Sequence, residues 1–323
     1  MTRRDRPVLR WARRHGDLLV AWEGANRHVA GRLECGERHV RTPTFSVFQR
    51  DEGAVVLHRV APTALDNDLA ELIAEELFRP GVLASPGAFE RCFAGVVTST
   101  DPVPIAAWRR FYANTLRGLR GEDGRHRSAS PIAVFREIYA HAERLVRGPR
   151  VLDVGSCFAF FPLLIAQRPD LEVTASDRQR GSVALARQMA TDLGARVAFS
   201  VADVVDPLPF PRESFDTVTA LHLLEHLPPR LTASALAGLC RMARRRVVMA
   251  VPLEHRPDRV YGHLQAFDLH SLRACAQGLP GWRGKAHEHL GGWLVLDRRI
   301  TSPPIRRDHR ARDARRRLPR LVG

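Results

Sequence analysis

Two aspartates and a glycine stand at the ends of successive predicted strands, where a parallel sheet would bring them to one edge. Gly155 follows the predicted strand 151–154, Asp177 comes 22 residues later after a second, and Asp203 follows a third. A glycine turn lets the backbone approach a ligand, and a carboxylate after the second strand can accept hydrogen bonds from both ribose hydroxyls. Asp203 is placed to accept a hydrogen bond from an adenine amino group while the Val204 N–H donates to a ring nitrogen. The set predicts a nucleoside-binding site.

A dinucleotide is the main competing ligand. Its pyrophosphate fingerprint, G-x-G-x-x-G, needs glycines where this chain has Cys157 and Phe160. S-adenosylmethionine has no phosphates, so a single close-approach glycine with small neighbours suffices for it. Taken singly, Asp177 would also suit a helix cap and Asp203 a turn, so the prediction depends on the set.

The elements that must position these residues alternate between strand and helix from residue 150 onward. Near-continuous apolar strands are typical of a parallel sheet covered on both faces. The predicted fold class is therefore α/β, with a Rossmann-like, doubly wound, mostly parallel sheet over residues 150 to about 300. The predicted strands are 151–154, 172–176, 196–201, 215–221 and 246–251, and the predicted helices are 158–168, 181–193, 232–242 and 269–277.

A smaller α+β region precedes this domain. Residues 8–60 hold short Val-, Leu- and Phe-rich runs separated by turn residues, which is typical of strands. Over residues 62–120 the apolar residues recur at helical spacing. The helices predicted there are 62–79, 86–97 and 104–119.

The boundary between the two parts is predicted at a polar Gly/Arg segment, 121–128. Ser130-Pro131 then provides an N-cap followed by proline at the first helical position, which predicts a helix to Arg147. The predicted domains are an N-terminal region, 1–128, and a catalytic domain, 129–300.

The net charge of +15 is concentrated at the two ends of the chain. Ten arginines lie between Arg298 and Arg320, and six more lie in the first fourteen residues. Such runs are more often solvated tails than binding surfaces, so residues 301–323 are predicted to form a disordered tail. Nucleic acid is not the predicted partner, although the basic ends leave it open.

Five cysteines without a short Cys-x-x-Cys spacing indicate neither a disulfide framework nor a thiolate zinc site. No window approaches the roughly 18 to 20 consecutive apolar residues of a membrane-spanning helix. The chain is therefore expected to be cytoplasmic, without a membrane span.

As a set, these residues resemble the class I S-adenosylmethionine-dependent methyltransferase family over roughly residues 130–300. The resemblance implies a seven-stranded sheet and S-adenosyl-L-methionine as the cofactor. The family usually has glycines where Cys157 and Ala159 stand, which is the one departure. The motifs that carry the resemblance are Val151-Leu152-Asp153-Val154-Gly155, Asp177, Asp203, the segment 215–227 and Gly262-His263-Leu264-Gln265-Ala266-Phe267-Asp268. The cofactor-binding residues that follow are Asp153, Gly155, Ser156, Asp177, Asp203, Val204 and Leu221.

Three further segments resemble, more narrowly, the mycofactocin oligosaccharide methyltransferase family. They are Gly155-Ser156-Cys157-Phe158-Ala159-Phe160-Phe161-Pro162-Leu163-Leu164, Trp108-Arg109-Arg110-Phe111-Tyr112-Ala113-Asn114 and Ser130-Pro131. This resemblance implies methylation of a sugar hydroxyl on the oligoglucose chain of a peptide-derived redox cofactor.

Methyl transfer to a hydroxyl is an in-line displacement that needs the acceptor held near the methyl group. A hydroxyl is a weak nucleophile, so a base must take its proton, and histidine is the side chain best poised near neutral pH. His226 follows the fourth strand and His263 the fifth, so these two are the predicted catalytic residues. His222, Glu225 and Asp268 are expected on the same rim.

No metal site is predicted. The one set of residues that could suggest a divalent-metal site is His287-x-His289 with Glu254 or Glu288. No predicted helix places two of these ligands on one face. Tyr112 is the aromatic residue expected to line an acceptor pocket, because an N-terminal helix often lids this kind of site.

The predicted function is O-methylation of a glycan or glycosylated small molecule. One alternative is methylation of RNA, suggested by the basic ends, or of another small molecule; acidic Asp203 and Glu225 on the rim speak against RNA. Another is a non-catalytic binding module that lost turnover through the changes at Cys157 and Ala159, against which Asp177 and Asp203 argue. The acceptor, the oligomeric state and the role of the N-terminal region, as acceptor recognition or lid, stay open.

Overall fold

The structure, a computed structural model, describes residues 9–27, 39–51, 53–85, 87–126, 129–206 and 209–299. The segment 301–323, predicted as a tail, lies outside these ranges, as do two residues of the predicted linker. The described residues form a five-stranded and a seven-stranded sheet. Within those ranges, no helix combines the length and apolar character that a membrane crossing needs.

The five-stranded sheet belongs to the N-terminal region. Its strands are β1 (Arg13–His15), β2 (Leu18–Trp22), β3 (His39–Arg41), β4 (Phe45–Arg50) and β5 (Gly53–His58). The order is β1-β2-β5-β4-β3, with β2 parallel to β5 and the other neighbours antiparallel. Phe45, Val47 and Val56 are fully buried, so this sheet has its own apolar face.

Helices follow this sheet along the chain. They are α1 (Leu69–Ile73), which continues as a π-helical turn over Ala74–Phe78, α2 (Ala88–Ser99) and α3 (Pro104–Arg120). Two predicted helices begin later than expected. The Asp66 side chain accepts a hydrogen bond from the Asp68 N–H (3.1 Å), which holds the chain before α1 in a turn. Gly87 has a φ of 65°, so α2 cannot begin before it.

The seven-stranded sheet confirms the predicted α/β fold. Its strands are β6 (Arg150–Val154), β7 (Glu172–Asp177), β8 (Val197–Val201), β9 (Phe215–Leu221), β10 (Ala243–Val251), β11 (Trp282–Glu288) and β12 (Gly292–Arg298). The helices are α4 (Pro131–Leu145), α5 (Phe160–Ile165), α6 (Arg180–Asp192), α7 (Thr232–Met242) and α8 (Leu269–Ala276). The order is β11-β12-β10-β9-β6-β7-β8, in which β6 to β10 run parallel and β12 is antiparallel to both neighbours.

The strand order reverses beside β6, because β7 pairs with one edge of β6 and β9 with the other. In open α/β sheets, ligands bind at the carboxyl ends of the strands at such a switch point. The carboxyl ends of β6, β7, β9 and β10 are therefore where a site is expected.

Two details of the sequence-based elements need correction. The helix expected over 158–168 is only Phe160–Ile165, because Cys157 (φ 49°) and Ala159 (φ 57°) keep the preceding residues out of helical conformation. The β11–β12 hairpin was not among the strands predicted from apolar runs. β11 is an edge strand with a mostly exposed, polar sequence and no apolar run, whereas β12 contains a buried apolar run, 293–296, that the sequence-based prediction missed.

The N-terminal helices pack directly against the start of the second sheet. Six aromatic residues of α2, α3, the loop after β6 and the start of α5 form one cluster, called the aromatic cluster below: Phe93, Trp108, Phe111, Tyr112, Phe158 and Phe160. The Phe111 and Phe158 ring centroids are 5.4 Å apart, and those of Tyr112 and Phe160 are 5.1 Å apart. The N-terminal region thus supports the segment that follows Gly155.

Candidate functional site

The turn after β6 brings the backbone of Gly155 to the edge of the sheet. Gly155 has a φ of 76°, and its N–H and that of Ser156 both donate to the Ser176 carbonyl (2.8 and 3.0 Å). The Ser156 hydroxyl donates to the Asp153 carbonyl (3.0 Å). A Cβ at Gly155 would lie 2.7 Å from Leu223 Cδ1, so any side chain here would displace Leu223 and would strain a backbone conformation that favours glycine.

Asp177, at the end of β7, is held by backbone amides. The Cys157 N–H donates to Oδ2 (2.9 Å) and the Gln179 N–H donates to Oδ1 (2.8 Å). The carboxylate is half-buried, and a carboxylate offers about four lone-pair sites. Each oxygen thus keeps acceptor capacity for a hydroxyl, in an orientation that the loop after Gly155 fixes. Asp177 therefore caps the turn before α6.

Asp203 and Val204 follow β8 in a tight turn. Asp203 Oδ1 accepts a hydrogen bond from the Val205 N–H (3.1 Å), and its carboxylate is half-buried. The Val204 side chain is 5% exposed and packs into the core beneath the turn. Asp203 is therefore part of a turn, as the alternative interpretation of this residue predicted, and its second oxygen retains acceptor capacity.

Asp153 lies inside the sheet rather than on its rim. Its side chain is 4% exposed, and Oδ1 accepts a hydrogen bond from the Thr219 hydroxyl (2.6 Å). Burial raises the pKa of Asp153 to about 6, against the lowering effect of this hydrogen bond. Asp153 therefore ties β6 to β9, while Leu221, half-buried at the end of β9, marks the neighbouring rim position.

These positions suit S-adenosylmethionine. Gly155 presents backbone without a side chain at the edge of the sheet, and Asp177 and Asp203 offer oriented acceptors for hydroxyl and amino groups. Cys157 and Ala159 occupy left-handed backbone positions, which explains why glycine is usual there in the family that the sequence resembles. Cys157 and Ala159 both adopt the left-handed conformation although neither is glycine.

The two predicted catalytic histidines come together on the same rim. The His226 and His263 ring centroids are 5.0 Å apart. Together with Glu225 they form the Glu225 cluster, in which one nitrogen or oxygen atom of each residue lies within 4.8 Å of the others. Neighbouring atoms desolvate the His226 ring and lower its pKa, against the opposing effect of the Glu225 charge. His226 has an exposed edge, whereas Glu225 and His263 are buried.

Hydrogen bonds hold this cluster between the loops after β9 and β10. The Leu264 N–H donates to the Glu225 carbonyl (2.7 Å), and the Gln265 amide donates to the Leu224 and Leu227 carbonyls (2.8 and 3.0 Å). His263 Nδ1 lies 3.0 Å from both carboxylate oxygens of Glu254. Sequence reasoning missed this role of Glu254 and the contact of Leu223 with Gly155, because no local pattern relates residues on separate loops.

Four other residues considered in the sequence analysis lie in helix caps, buried clusters or contacts between elements. Asp268 accepts a hydrogen bond from the Ser271 N–H (2.7 Å) in a capping box at the start of α8. Tyr112, expected in an acceptor pocket, is 1% exposed within the aromatic cluster. His287 and His289 contact His141 of α4, whose Nε2 is 2.9 Å from His287 Nε2.

Residues 151–246 match the family model described as a methyltransferase domain. A ubiquinone biosynthesis O-methyltransferase of Xanthomonas euvesicatoria pv. vesicatoria (strain 85-10) is 32% identical over 120 residues, 37% of this chain and 50% of that protein. A 27-O-demethylrifamycin SV methyltransferase of Amycolatopsis mediterranei (strain S699) is 36% identical over 85 residues, 26% of this chain and 31% of that protein. The chain thus spans about half or less of the curated relatives it matches.

A solved magnesium protoporphyrin IX methyltransferase of Synechocystis PCC 6803 with bound SAH has a TM-score of 0.42 and 19% identity, covering 58% of this chain and 94% of that one. The match of 151–246 runs from β6 into β10 and contains Gly155, Asp177 and Asp203. In this part, residues 151–246, the chain is therefore similar to methyltransferase domains.

Proposed function

We propose that the protein transfers the methyl group of S-adenosylmethionine to a hydroxyl oxygen of a small molecule. The observation that carries this proposal is the position of Leu223, whose side chain contacts the Gly155 turn two residues before the Glu225 cluster begins. A cofactor at the turn and an acceptor at the cluster would thus be separated by little more than one side chain. Methyl transfer needs this proximity.

On the cofactor side, Gly155 and Ser156 line the turn, Asp177 binds the ribose hydroxyls, and Asp203 with Val204 binds the adenine. The bound cofactor supplies an electrophilic methyl carbon. The chain's own part would be to hold the cofactor at the Gly155 turn, beside the loop after β9. Asp153 supports this by joining β6 to β9 through Thr219.

On the acceptor side, His226 and His263 remain the predicted residues for removing the hydroxyl proton. The exposed edge of His226 opens the cluster to an acceptor, while Glu254 orients the His263 ring. Oxygen as the accepting atom is supported by the names of the two relatives, an O-methyltransferase and a 27-O-demethylrifamycin SV methyltransferase. The narrower resemblance supports a sugar hydroxyl, on an oligosaccharide or glycosylated small molecule.

The N-terminal region, 1–128 in this proposal, acts as a lid and support beside the domain 129–300. Its α3 supplies three ring contacts to Phe158, directly after the cofactor turn, through Trp108, Phe111 and Tyr112. This part of the chain is then needed for cofactor binding as well as for acceptor choice.

Calorimetric titration with S-adenosylmethionine and its demethylated product tests the cofactor step. Wild-type protein should bind both, and Asp177→Ala should weaken binding at least about 100-fold, because two charge-assisted hydrogen bonds are lost at about 1.5–3 kcal/mol each. Asp170→Ala is the matched control, since Asp170 is an exposed aspartate paired with Arg168. No binding by the wild type would overturn the proposed function.

A transfer assay with labelled S-adenosylmethionine tests the acceptor. Oligoglucosides, a catechol and a structured RNA are offered separately to the full chain. Label in an oligoglucoside supports a sugar acceptor; label in the catechol or RNA alone overturns it.

A further inference from the structure

The Glu225 carboxylate is buried without a hydrogen-bond partner. The residue is 1% exposed, and within the described ranges no donor reaches either Oε1 or Oε2 with hydrogen-bond geometry. His222 Nδ1 lies 3.3 Å from Oε1 and is a cation only when protonated. An isolated buried carboxylate is costly, so this group calls for a cation at its open side.

His226 and His263 stand where ligands to such a cation are needed. The ligand atoms of the Glu225 cluster lie within 4.8 Å of one another. Nitrogen and oxygen ligands at about 2.0–2.2 Å from one ion are at most about 4.4 Å apart, so small side-chain movements complete the geometry. The exposed edge of His226 leaves further coordination positions open.

Glu254 prepares His263 for this role. Because a carboxylate only accepts hydrogen bonds, the His263 Nδ1–H donates to Glu254 at 3.0 Å, which leaves Nε2 as the nitrogen that can bind a cation. A carboxylate that orients a ligating imidazole in this way is a recurrent feature of metal sites. Glu254 is itself fixed, since Oε2 accepts from the Asp258 N–H (3.3 Å).

A second group with metal-ligand chemistry, Asp66, Asp68 and His126, offers a useful contrast. Its carboxylates already have partners. Asp66 Oδ1 accepts from the Asp68 N–H, Asp68 Oδ1 accepts from the Ile132 N–H (2.8 Å), and the Arg125 guanidinium lies 3.6 Å from Asp66. These carboxylates therefore have no uncompensated charge that a metal ion would neutralise. The Glu225 cluster is the better candidate for a metal site.

We infer that Glu225, His226 and His263 bind one divalent transition-metal ion of the zinc class, with open positions that face the acceptor. Two imidazoles and one carboxylate suit Zn²⁺, Co²⁺ or Fe²⁺, whereas Mg²⁺ and Ca²⁺ prefer oxygen ligands. The role of the ion rests on the proposed function: a hydroxyl bound to it would release its proton to solvent near neutral pH, so the two histidines would activate the acceptor through the metal.

Metal titration of the full chain after treatment with a chelator tests the site. Wild-type protein should bind one Zn²⁺, and Co²⁺ in its place should give the visible absorption of a tetrahedral or five-coordinate centre. Glu225→Gln and His263→Gln should each weaken binding at least tenfold, and Glu254→Gln by about 10–100-fold. Asp66→Asn, in the other group, should leave the affinity unchanged.

Failure to bind Zn²⁺ and Co²⁺ in the wild type overturns the inference, as does binding that survives in Glu225→Gln and disappears in Asp66→Asn. Thermal unfolding without metal checks the fold. Glu225→Gln should be at least as stable as the wild type there, because it removes an uncompensated buried charge, and should lose the stabilisation that Zn²⁺ gives the wild type.

Two variants separate this inference from the proposed function. Asp177→Ala should lose S-adenosylmethionine binding and keep Co²⁺ absorption, whereas Glu225→Gln should do the reverse. A wild-type chain that binds metal but no S-adenosylmethionine retains the metal site and overturns only the methyl-transfer role.

Discussion

Gly155 and Leu223 meet so closely that a Cβ on the glycine would lie 2.7 Å from Leu223 Cδ1. This contact joins the predicted cofactor turn to the loop that carries Glu225 and His226. A change at Gly155 therefore tests both halves of the site at once.

Gly155→Ala should lower the free energy of unfolding by about 2 kcal/mol, because the left-handed backbone alone costs roughly 1–2 kcal/mol and Leu223 must also move. S-adenosylmethionine binding should weaken at least tenfold in calorimetric titration. Gly194→Ala is the control, since Gly194 has a φ of 65° with no atom within 4 Å of an added Cβ. Gly194→Ala should lower the free energy of unfolding through its left-handed backbone but bind S-adenosylmethionine normally. An equal loss of S-adenosylmethionine binding in both variants would refute the role given to Gly155.

Ala159→Gly should maintain or raise stability by up to about 1 kcal/mol, although glycine ordinarily weakens a folded chain. Ala159 has a φ of 57° at the N-cap of α5, so glycine relieves backbone strain there. Ala184→Gly, at an exposed position within α6, should instead cost about 1 kcal/mol. Urea denaturation of the two variants measures the difference, and equal losses would show that Ala159 is unstrained.

Phe158→Ala should lower the free energy of unfolding by about 2 kcal/mol and weaken S-adenosylmethionine binding, because its ring packs on Phe93, Trp108 and Phe111. Phe89→Ala is the matched control. Phe89 is also partly buried, but its ring contacts Phe78 and Tyr261. We expect Phe89→Ala to lose a comparable amount of stability and to keep its affinity for S-adenosylmethionine. If Phe158→Ala also keeps that affinity, α3 does not support the cofactor site.

His58 should make the protein less stable in acid. Burial lowers its pKa from 6.5 to about 3, and its Nε2 hydrogen-bonds with Ser99 Oγ at 2.8 Å. The folded state thus disfavours the proton that the unfolded chain binds below pH 6.5. The stability contribution is complete above that pH and is lost as the pH falls toward 3, by up to about 1.4 kcal/mol per pH unit.

Urea denaturation between pH 7 and pH 4 checks this sign. The double variant His58→Leu/Ser99→Ala should show a shallower decline in the free energy of unfolding than the wild type. His270→Gln, an exposed histidine on α8, should leave the decline unchanged. A decline as steep in the double variant as in the wild type would assign the acid sensitivity elsewhere.

The sequence alone determined the parallel core of the second sheet and the edge at which its chemistry lies. Strands buried on both faces are rich in apolar residues, so β6, β9 and much of β10 could be predicted from the sequence. Gly155, Asp177 and Asp203 follow or end successive predicted strands, and parallel topology then requires them to share an edge. Local chemistry also indicated the start of α4 at Ser130, whose side chain accepts from the Ala133 N–H (3.3 Å).

Only the tertiary structure decided which distant residues meet at that edge. The contact of Leu223 with Gly155, the hydrogen bond of His263 with Glu254 and the burial of Glu225 each join separate loops, whose positions depend on how the whole sheet packs. β11 could not be predicted from the sequence either, because it is an edge strand with exposed polar residues that is stabilised by pairing with β12. The periodicity of apolar residues indicates which face of a helix or strand is buried. It does not indicate which residues of another element pack against that face.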